Sequence, residues 1–156
     1  MGFKVELRDG VQHLGGSIDE ACDFDALAAA RDEVLKLNLA GIQTINSLGL
    51  RRLIAFAKAI GERAVELFDC PPVFIEAVNV MPLAIGGHKH VRRIQSLLLP
   101  FHCKGDHEAS FSVRLAEIRL EGESVLLPEP ACPKCQQKME PDLETDLDEF
   151  FFFLSV

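Results

Sequence analysis

Tryptophan and tyrosine are both missing from this sequence, and basic residues are scarce. Its 16 lysines and arginines face 24 acidic residues, which gives a formal net charge of -8. Nucleic-acid binding relies on basic surfaces, and single strands are commonly bound by stacking their bases on aromatic side chains. The one basic cluster, at residues 88–93, is short and is typical of a solvated loop. We therefore expect no nucleic-acid partner.

The chain also has no uninterrupted run of about 18 apolar residues, the length that a membrane-spanning helix requires. Residues 1–9 alternate apolar and charged side chains, unlike the apolar core of a signal peptide. These absences predict no membrane insertion and a cytoplasmic location. Cysteine is present in an odd number, five, and three of the five lie at residues 103–135. This distribution suits a reducing compartment and a metal site better than a disulfide framework.

The first part of the chain has the pattern of an α/β domain. Alternating runs at 3–8 and 11–15 flank Asp9-Gly10, a strong hairpin signal. Periodicity and turn signals then predict a helix at 23–30, a strand at 33–39, a helix at 47–60, a strand at 64–68 and a helix from Pro71. Strands that alternate with helices of this length indicate a mixed, partly parallel sheet covered by helices.

The last third has a different pattern. Strand-like runs at 111–120 and 124–127 predict a second hairpin, so we divide the chain into an α/β domain at residues 1–95 and a small β extension at residues 96–156. The four phenylalanines at 150–153 follow an acidic run and would promote aggregation if they were exposed. We expect them to form a strand or short helix in a core or a subunit interface, and we expect that the chain can form a homo-oligomer.

One segment, Leu37–Leu53, resembles the STAS domain, the fold of anti-sigma-factor antagonists and of the cytoplasmic tails of sulfate transporters. The resemblance continues through most of residues 3–90, and Gly15–Glu20 resembles the usual opening of the family. It implies a STAS-like mixed sheet with helices. It also implies a non-enzymatic bacterial regulatory protein that binds a kinase-like or other signalling protein.

The loop before the helix at 47–60 departs from the family pattern, Asp-Ser-Ser/Thr-Gly-Leu. Leu48 replaces the phosphorylatable hydroxyl, which the family holds at a helix N-terminus where backbone amides would receive a phosphate, and Asn46 replaces the aspartate. This departure leaves partner binding as the expectation and puts phosphorylation control in doubt. Asn46 would still cap a helix through its side-chain oxygen, although it lacks the charge of an aspartate. Ser47 is the only hydroxyl left in the loop, and we expect it to be an N-cap serine. The partner-binding residues that the resemblance implies are Asn46, Ser47, Leu48, Arg51 and Arg52. That Arg51 and Arg52 form only a solvated helix face is an open alternative.

A second candidate site lies in the extension. Cys132-Pro133-Lys134-Cys135 has the spacing at which a tight turn directs two thiolates at one tetrahedral ion. Upstream, Cys103 is followed by Asp106, where a standard zinc ribbon would have cysteine, and then by His107. We predict that zinc is held by Cys103, His107, Cys132 and Cys135, with Asp106 as a competing fourth ligand.

Two alternatives to this structural zinc site stay open. In the first, the three cysteines hold zinc, water takes the fourth position and the chain is a zinc-dependent enzyme. In the second, the ribbon has lost its metal and the cysteines pack as small apolar residues. The sequence has no glycine-rich phosphate loop and no local signature of a catalytic triad, so we expect a binding protein and not an enzyme.

Overall fold

The computed structural model of the protein describes residues 2–155. The chain begins with an antiparallel hairpin of β1 (Lys4–Arg8) and β2 (Val11–Ile18). Asp9 and Gly10 between them have φ values of 51° and 78°, and two left-handed residues are what a two-residue type I′ turn requires. The predicted hairpin is confirmed.

Two further strands extend this sheet in parallel. Strand β3 (Leu35–Ile45) pairs with β2, and β4 (Val65–Phe68) pairs with β3, so the order is β1-β2-β3-β4. The connections contain α1 (Asp25–Ala29) and α2 (Ser47–Ile60). The sheet is mixed and its strands alternate with helices, so the predicted α/β class is confirmed.

Helix α3 (Pro72–Val80) follows β4 and begins where the sequence predicts. Proline suits the first turn of a helix because its ring fixes φ and the missing N–H would have no partner there. Two 3₁₀ helices, Pro82–Ile85 and His88–Arg93, then lead back to the sheet. The left-handed Gly86 ends the first of them.

The extension is built on a three-stranded sheet that differs in part from the prediction. Its strands, β5 (Ser96–His102), β6 (Glu108–Arg114) and β9 (Glu140–Pro141), lie in the order β6-β5-β9. A separate short hairpin consists of β7 (Arg119–Glu121) and β8 (Ser124–Leu126). The predicted single strand at 111–120 is wrong, because the 3₁₀ turn Leu115–Glu117 separates β6 from β7.

The two sheets meet where β5 runs beside β4. Parallel bridges join Leu67 to Ile94 and Cys70 to Leu97, and the Ser96 hydroxyl accepts a hydrogen bond from the amide of Asp69 at 2.8 Å. One hydrophobic cluster includes buried residues of both parts of the chain. The division into domains at residues 1–95 and 96–156 stays a prediction.

The C-terminal phenylalanines form short helical turns packed into this core. Helix α4 (Leu147–Phe150) is followed by the 3₁₀ turn Phe152–Leu154, and Phe150, Phe151 and Phe153 are buried. The expectation of a short helix in a core is confirmed. In residues 2–155, no helix has both the length and the apolar character needed to cross a membrane.

Candidate metal centre and the surface at the start of α2

Two tight turns form the candidate metal centre. The first connects β5 to β6, and in it the Asp106 amide donates to the Cys103 carbonyl at 3.1 Å and the Cys103 amide to the His107 carbonyl at 3.1 Å. In the second turn the Gln136 amide donates to the Cys132 carbonyl at 2.9 Å. These backbone bonds hold each turn closed independently of any side chain.

The turns bring four ligand side chains to one point. Cys103, His107, Cys132 and Cys135 each offer one ligand atom, and these four atoms lie within 4.8 Å of one another. His107 Nδ1 is 3.5 Å from Cys103 Sγ and 3.5 Å from Cys132 Sγ, and the Sγ atoms of Cys103 and Cys135 are 3.6 Å apart. Three sulfurs and one imidazole nitrogen at these separations could hold a metal ion.

Asp106, the competing fourth ligand, is not a member of this group of atoms. It is exposed and lies in the left-handed region with a φ of 59°, at the bend of the first turn. His107 comes one residue later, where the chain returns toward Cys103, and is half-buried. The structure therefore groups His107, and not Asp106, with the three cysteines.

The local environment favours a thiolate at Cys132. Burial opposes ionisation of this thiol, but the amides of Lys134 and Cys135 and the neighbouring thiols outweigh it and lower the pKa of Cys132 to about 6. At Cys135 the Gln137 amide favours ionisation, but burial and the neighbouring thiols overcome it and raise the pKa. An ion at this point would meet a charged ligand at neutral pH.

The other two cysteines lie outside the centre. Cys22 and Cys70 are both buried in the hydrophobic core. Burial raises the pKa of the Cys22 thiol and raises that of Cys70 strongly. Neither thiol is suited to nucleophilic or ligand chemistry, which needs the thiolate.

The second candidate site is the surface where β3 leads into α2. Of the five residues implied by the STAS resemblance, all are exposed: Asn46, Ser47, Leu48, Arg51 and Arg52. Leu48 is a large apolar side chain in the first turn of the helix and has 47% of its surface exposed. Because residues three and four positions apart share a helix face, Leu48, Arg51 and Arg52 form one contiguous patch.

Asn46, and not Ser47, caps α2. Its side-chain oxygen accepts a hydrogen bond from the Gly49 amide at 2.7 Å, while Ser47 is the first helical residue. The expected cap by the Asn46 side-chain oxygen is confirmed, and the expectation that Ser47 caps the helix is wrong. The asparagine retains the acceptor that an aspartate would supply, so the departure from the family pattern leaves the helix start intact.

Two residues at this surface were missing from the sequence-based candidates. Glu20 accepts a hydrogen bond from Asn46 Nδ2 at 3.1 Å through its carboxylate and from Arg52 at 3.0 Å through its backbone carbonyl. Gly49 is buried, and a Cβ atom built on it would lie 1.9 Å from the Ile18 carbonyl oxygen. Gly49 could have been found from its position in the STAS pattern. No local feature of the sequence marks Glu20 as part of this surface.

The basic cluster at 88–93 has internal partners. Arg93 is buried and donates to the carbonyls of Ile85 at 2.9 Å and Arg63 at 3.1 Å, and also to that of Gly61. Lys89 forms an ion pair with Glu62. Arg93 thus connects its own 3₁₀ helix, His88–Arg93, to the preceding 3₁₀ helix and to the end of α2.

Comparison of the chain with protein-family models, curated proteins and solved structures returns no match.

Proposed function

We propose that the chain is a STAS-like, non-enzymatic regulatory protein of the anti-sigma-factor-antagonist type. It binds a kinase-like or other regulatory protein through Asn46, Ser47, Leu48, Arg51 and Arg52. The observation that carries this proposal is the exposed Leu48 beside two arginines at the start of α2. A partner would offer an apolar pocket to Leu48 and carboxylates to Arg51 and Arg52.

The route of the chain into α2 supports the resemblance to the STAS family. In that family a strand delivers the binding loop onto a helix N-terminus. Here β3 ends at Ile45, Asn46 caps the helix and α2 begins at Ser47. The mixed sheet with a leading hairpin and helical crossovers agrees with the fold that the resemblance implies.

We also propose that the ion held by Cys103, His107, Cys132 and Cys135 is zinc. Tetrahedral zinc with bonds of about 2.3 Å to sulfur and about 2.05 Å to nitrogen requires sulfur–sulfur separations of about 3.8 Å and sulfur–nitrogen separations of about 3.6 Å. The corresponding distances of 3.6 Å and 3.5 Å in the chain are close to these values. Four protein ligands leave no position for water or substrate, so the ion has a structural role.

A cytoplasmic location completes the proposal. The chain has an odd number of cysteines, five, of which three are grouped as candidate metal ligands while Cys22 and Cys70 lie in the core. This arrangement suits a reducing compartment better than a disulfide framework.

Capture of partners by matched baits tests the proposed surface. The whole chain is immobilised in its wild-type form, as Leu48→Asp and as Leu120→Asp, and each is incubated with a bacterial lysate. Leu120 on β7 is 48% exposed and is therefore a control of nearly equal exposure on another element. The proposal predicts a protein that the wild type and Leu120→Asp retain and that Leu48→Asp loses.

The captured protein is then purified and its affinity is measured by calorimetry. Because a charge placed in an apolar contact also leaves the partner's pocket unfilled, we expect Leu48→Asp to weaken binding by about 100-fold, or roughly 3 kcal/mol. Equal binding by both variants, or no protein retained by any bait, would contradict the proposed surface.

A further inference from the structure

Strand β1 forms an open edge of the first sheet. In residues 2–155 it pairs with β2 alone, and all five of its residues are exposed. Leu7 has 63% of its surface exposed and Val5 has 39%. Edge strands of soluble proteins are usually protected by bulges, prolines or inward-pointing charges, because their free amides and carbonyls can pair with another chain.

The hairpin geometry fixes which backbone groups are free. Arg8 pairs with Val11 across the two-residue turn, and the register continues without a shift to Lys4 opposite Gly15. In such a ladder the pair beside the turn is hydrogen-bonded and the pairs then alternate. The amides and carbonyls of Val5 and Leu7 consequently point away from β2, toward the open edge.

The side chains of β1 divide into an apolar and a charged face. Val5 and Leu7 share a face with Phe3, whose ring packs edge-on against Phe24 at a centroid distance of 5.1 Å. This face continues the hydrophobic layer between the sheet and the helices. The opposite face carries charges of alternating sign, Lys4, Glu6 and Arg8.

We propose that β1 is a homodimer interface, in which two copies pair antiparallel with Val5 opposite the partner's Val5. This register places Lys4 opposite the partner's Glu6 twice and covers Leu7 with the partner's Phe3. Opposite charges and apolar pairs directly across a ladder are both stabilising. The two four-stranded sheets become one continuous sheet about a twofold axis, and both open edges are removed.

Other registers also let the outward amides and carbonyls of one copy pair with those of the other, but they are less favourable. Glu6 opposite the partner's Glu6 brings like charges together and also sets Lys4 against the partner's Arg8. Leu7 opposite the partner's Leu7 pairs charges well, but the turn at Asp9 and Gly10 shortens the ladder. Lys4 opposite the partner's Lys4 also brings like charges together. The charge pattern and the turn therefore select the register centred on Val5.

Sedimentation of the whole chain over a range of concentrations, with Val5→Pro beside it, tests the interface. Proline at residue 5 removes an N–H that faces outward and leaves the bonds to β2 in place, a position that edge strands tolerate. Val5→Thr keeps this N–H and the preference for a strand, and is the matched control. We expect a concentration-dependent dimer for the wild type and for Val5→Thr, and a monomer for Val5→Pro with unchanged circular dichroism.

Charge reversal tests the register. It also tests the interface if Val5→Pro fails to fold. Lys4→Glu and Glu6→Lys should each raise the dimer dissociation constant about tenfold, and the double variant should restore it. A wild type that sediments as a monomer up to its solubility limit would overturn the proposal. So would a dimer that Val5→Pro leaves intact, or a double variant that stays as weak as Glu6→Lys alone.

Discussion

Gly49 is the residue that allows α2 to begin close to the end of β2. A Cβ atom there would lie 1.9 Å from the Ile18 carbonyl oxygen, and this contact is with backbone that cannot turn away. The Asn46 amide donates to the same carbonyl at 3.1 Å, so the strand end and the helix start are fixed against each other. The surface around Leu48 depends on this close approach.

We predict that Gly49→Ala lowers the free energy of unfolding by about 3 kcal/mol or more, because the helix must move away from the strand. Gly15→Ala is the control, since that Cβ would first meet the flexible Lys4 side chain at 3.3 Å. Urea unfolding followed by circular dichroism measures both. If Gly49→Ala and Gly15→Ala lower the free energy of unfolding by the same small amount, α2 does not need glycine at residue 49.

Asn46 stands where the STAS pattern has aspartate, and its side chain has a partner that an aspartate would repel. Its Nδ2 donates to the Glu20 carboxylate at 3.1 Å, and an aspartate there would oppose two carboxylates. The pKa of Glu20 is lowered, first by its own backbone amide and then by Asn46. Asn46→Asp keeps the helix cap but removes this donor and adds a like charge, so we predict that it raises the pKa of Glu20.

An NMR titration of the Glu20 carboxyl carbon in both proteins measures this change. Asn46→Ala removes the donor without adding a charge and should raise the pKa by a smaller amount. If the pKa of Glu20 is the same in all three proteins, the contact between Asn46 and Glu20 does not persist in solution.

At the scale of elements, the C-terminal turns are fixed to α3 by one side chain. Asn79 Nδ2 donates to the Phe150 carbonyl at 2.7 Å, and its Oδ1 accepts from the Phe153 amide at 2.9 Å. Both partners are backbone groups of a segment whose phenylalanines are buried. Loss of the amide would leave a donor and an acceptor unpaired.

We predict that Asn79→Ala lowers the free energy of unfolding by about 2 kcal/mol. The effect should be largest in hydrogen exchange, with the amides of 147–154 losing protection before those of β3. Asn79→Asp keeps the acceptor for the Phe153 amide but sets a carboxylate oxygen against the Phe150 carbonyl, so we expect it to lose stability as well. Unchanged protection of 147–154 in Asn79→Ala would show that the phenylalanines hold the segment without it.

The sequence predicts best those elements whose apolar residues recur at a regular spacing and whose ends are marked by turn or capping residues. Helix α2 runs from Ser47 to Ile60 as predicted, because its apolar positions recur at helical spacing and Gly61 follows. Strand β5 was missed because Leu97–Phe101 is a nearly continuous apolar run with a proline, which periodicity cannot distinguish from a buried helix. The break between β6 and β7 has no proline or glycine to mark it.

The candidate metal centre and the surface near Asn46 could likewise be predicted only in part, because some of their features depend on local spacing and others on the folded structure. The spacing of Cys132 and Cys135 was sufficient to predict one ligand pair. The choice between His107 and Asp106 depends on the left-handed φ of Asp106, which the sequence does not reveal because glycine, and not aspartate, is the usual residue there. The contact of Glu20 with Asn46 joins residues 26 positions apart and has no local signature.

At the scale of the whole molecule, the candidate metal centre and the core are connected. Strand β5 leads directly into Cys103, and Leu97, Leu99 and Phe101 on that strand are fully buried beside the first sheet. An ion that binds only the folded chain therefore stabilises the whole protein.

Removal of zinc by a chelator should lower Tm by about 10 °C, which corresponds to roughly 4 kcal/mol for a chain of this size. Acidification should have the same effect, because every ligand must be deprotonated to hold the ion and protons compete with it increasingly as the pH falls. Differential scanning calorimetry with and without added zinc measures both, and Cys132→Ala should not respond. A Tm that is unchanged after the metal has been removed would show that the core does not depend on it.

The zinc content of the purified protein, determined by elemental analysis, tests the account's claim of a closed structural site most directly. The wild type is compared with Cys132→Ala, His107→Ala and Asp106→Ala. We predict one equivalent of zinc in the wild type and in Asp106→Ala, and its loss from Cys132→Ala and His107→Ala. Zinc retained in both His107→Ala and Asp106→Ala would reveal a three-ligand site open to water, and no zinc in the wild type would contradict the metal centre itself.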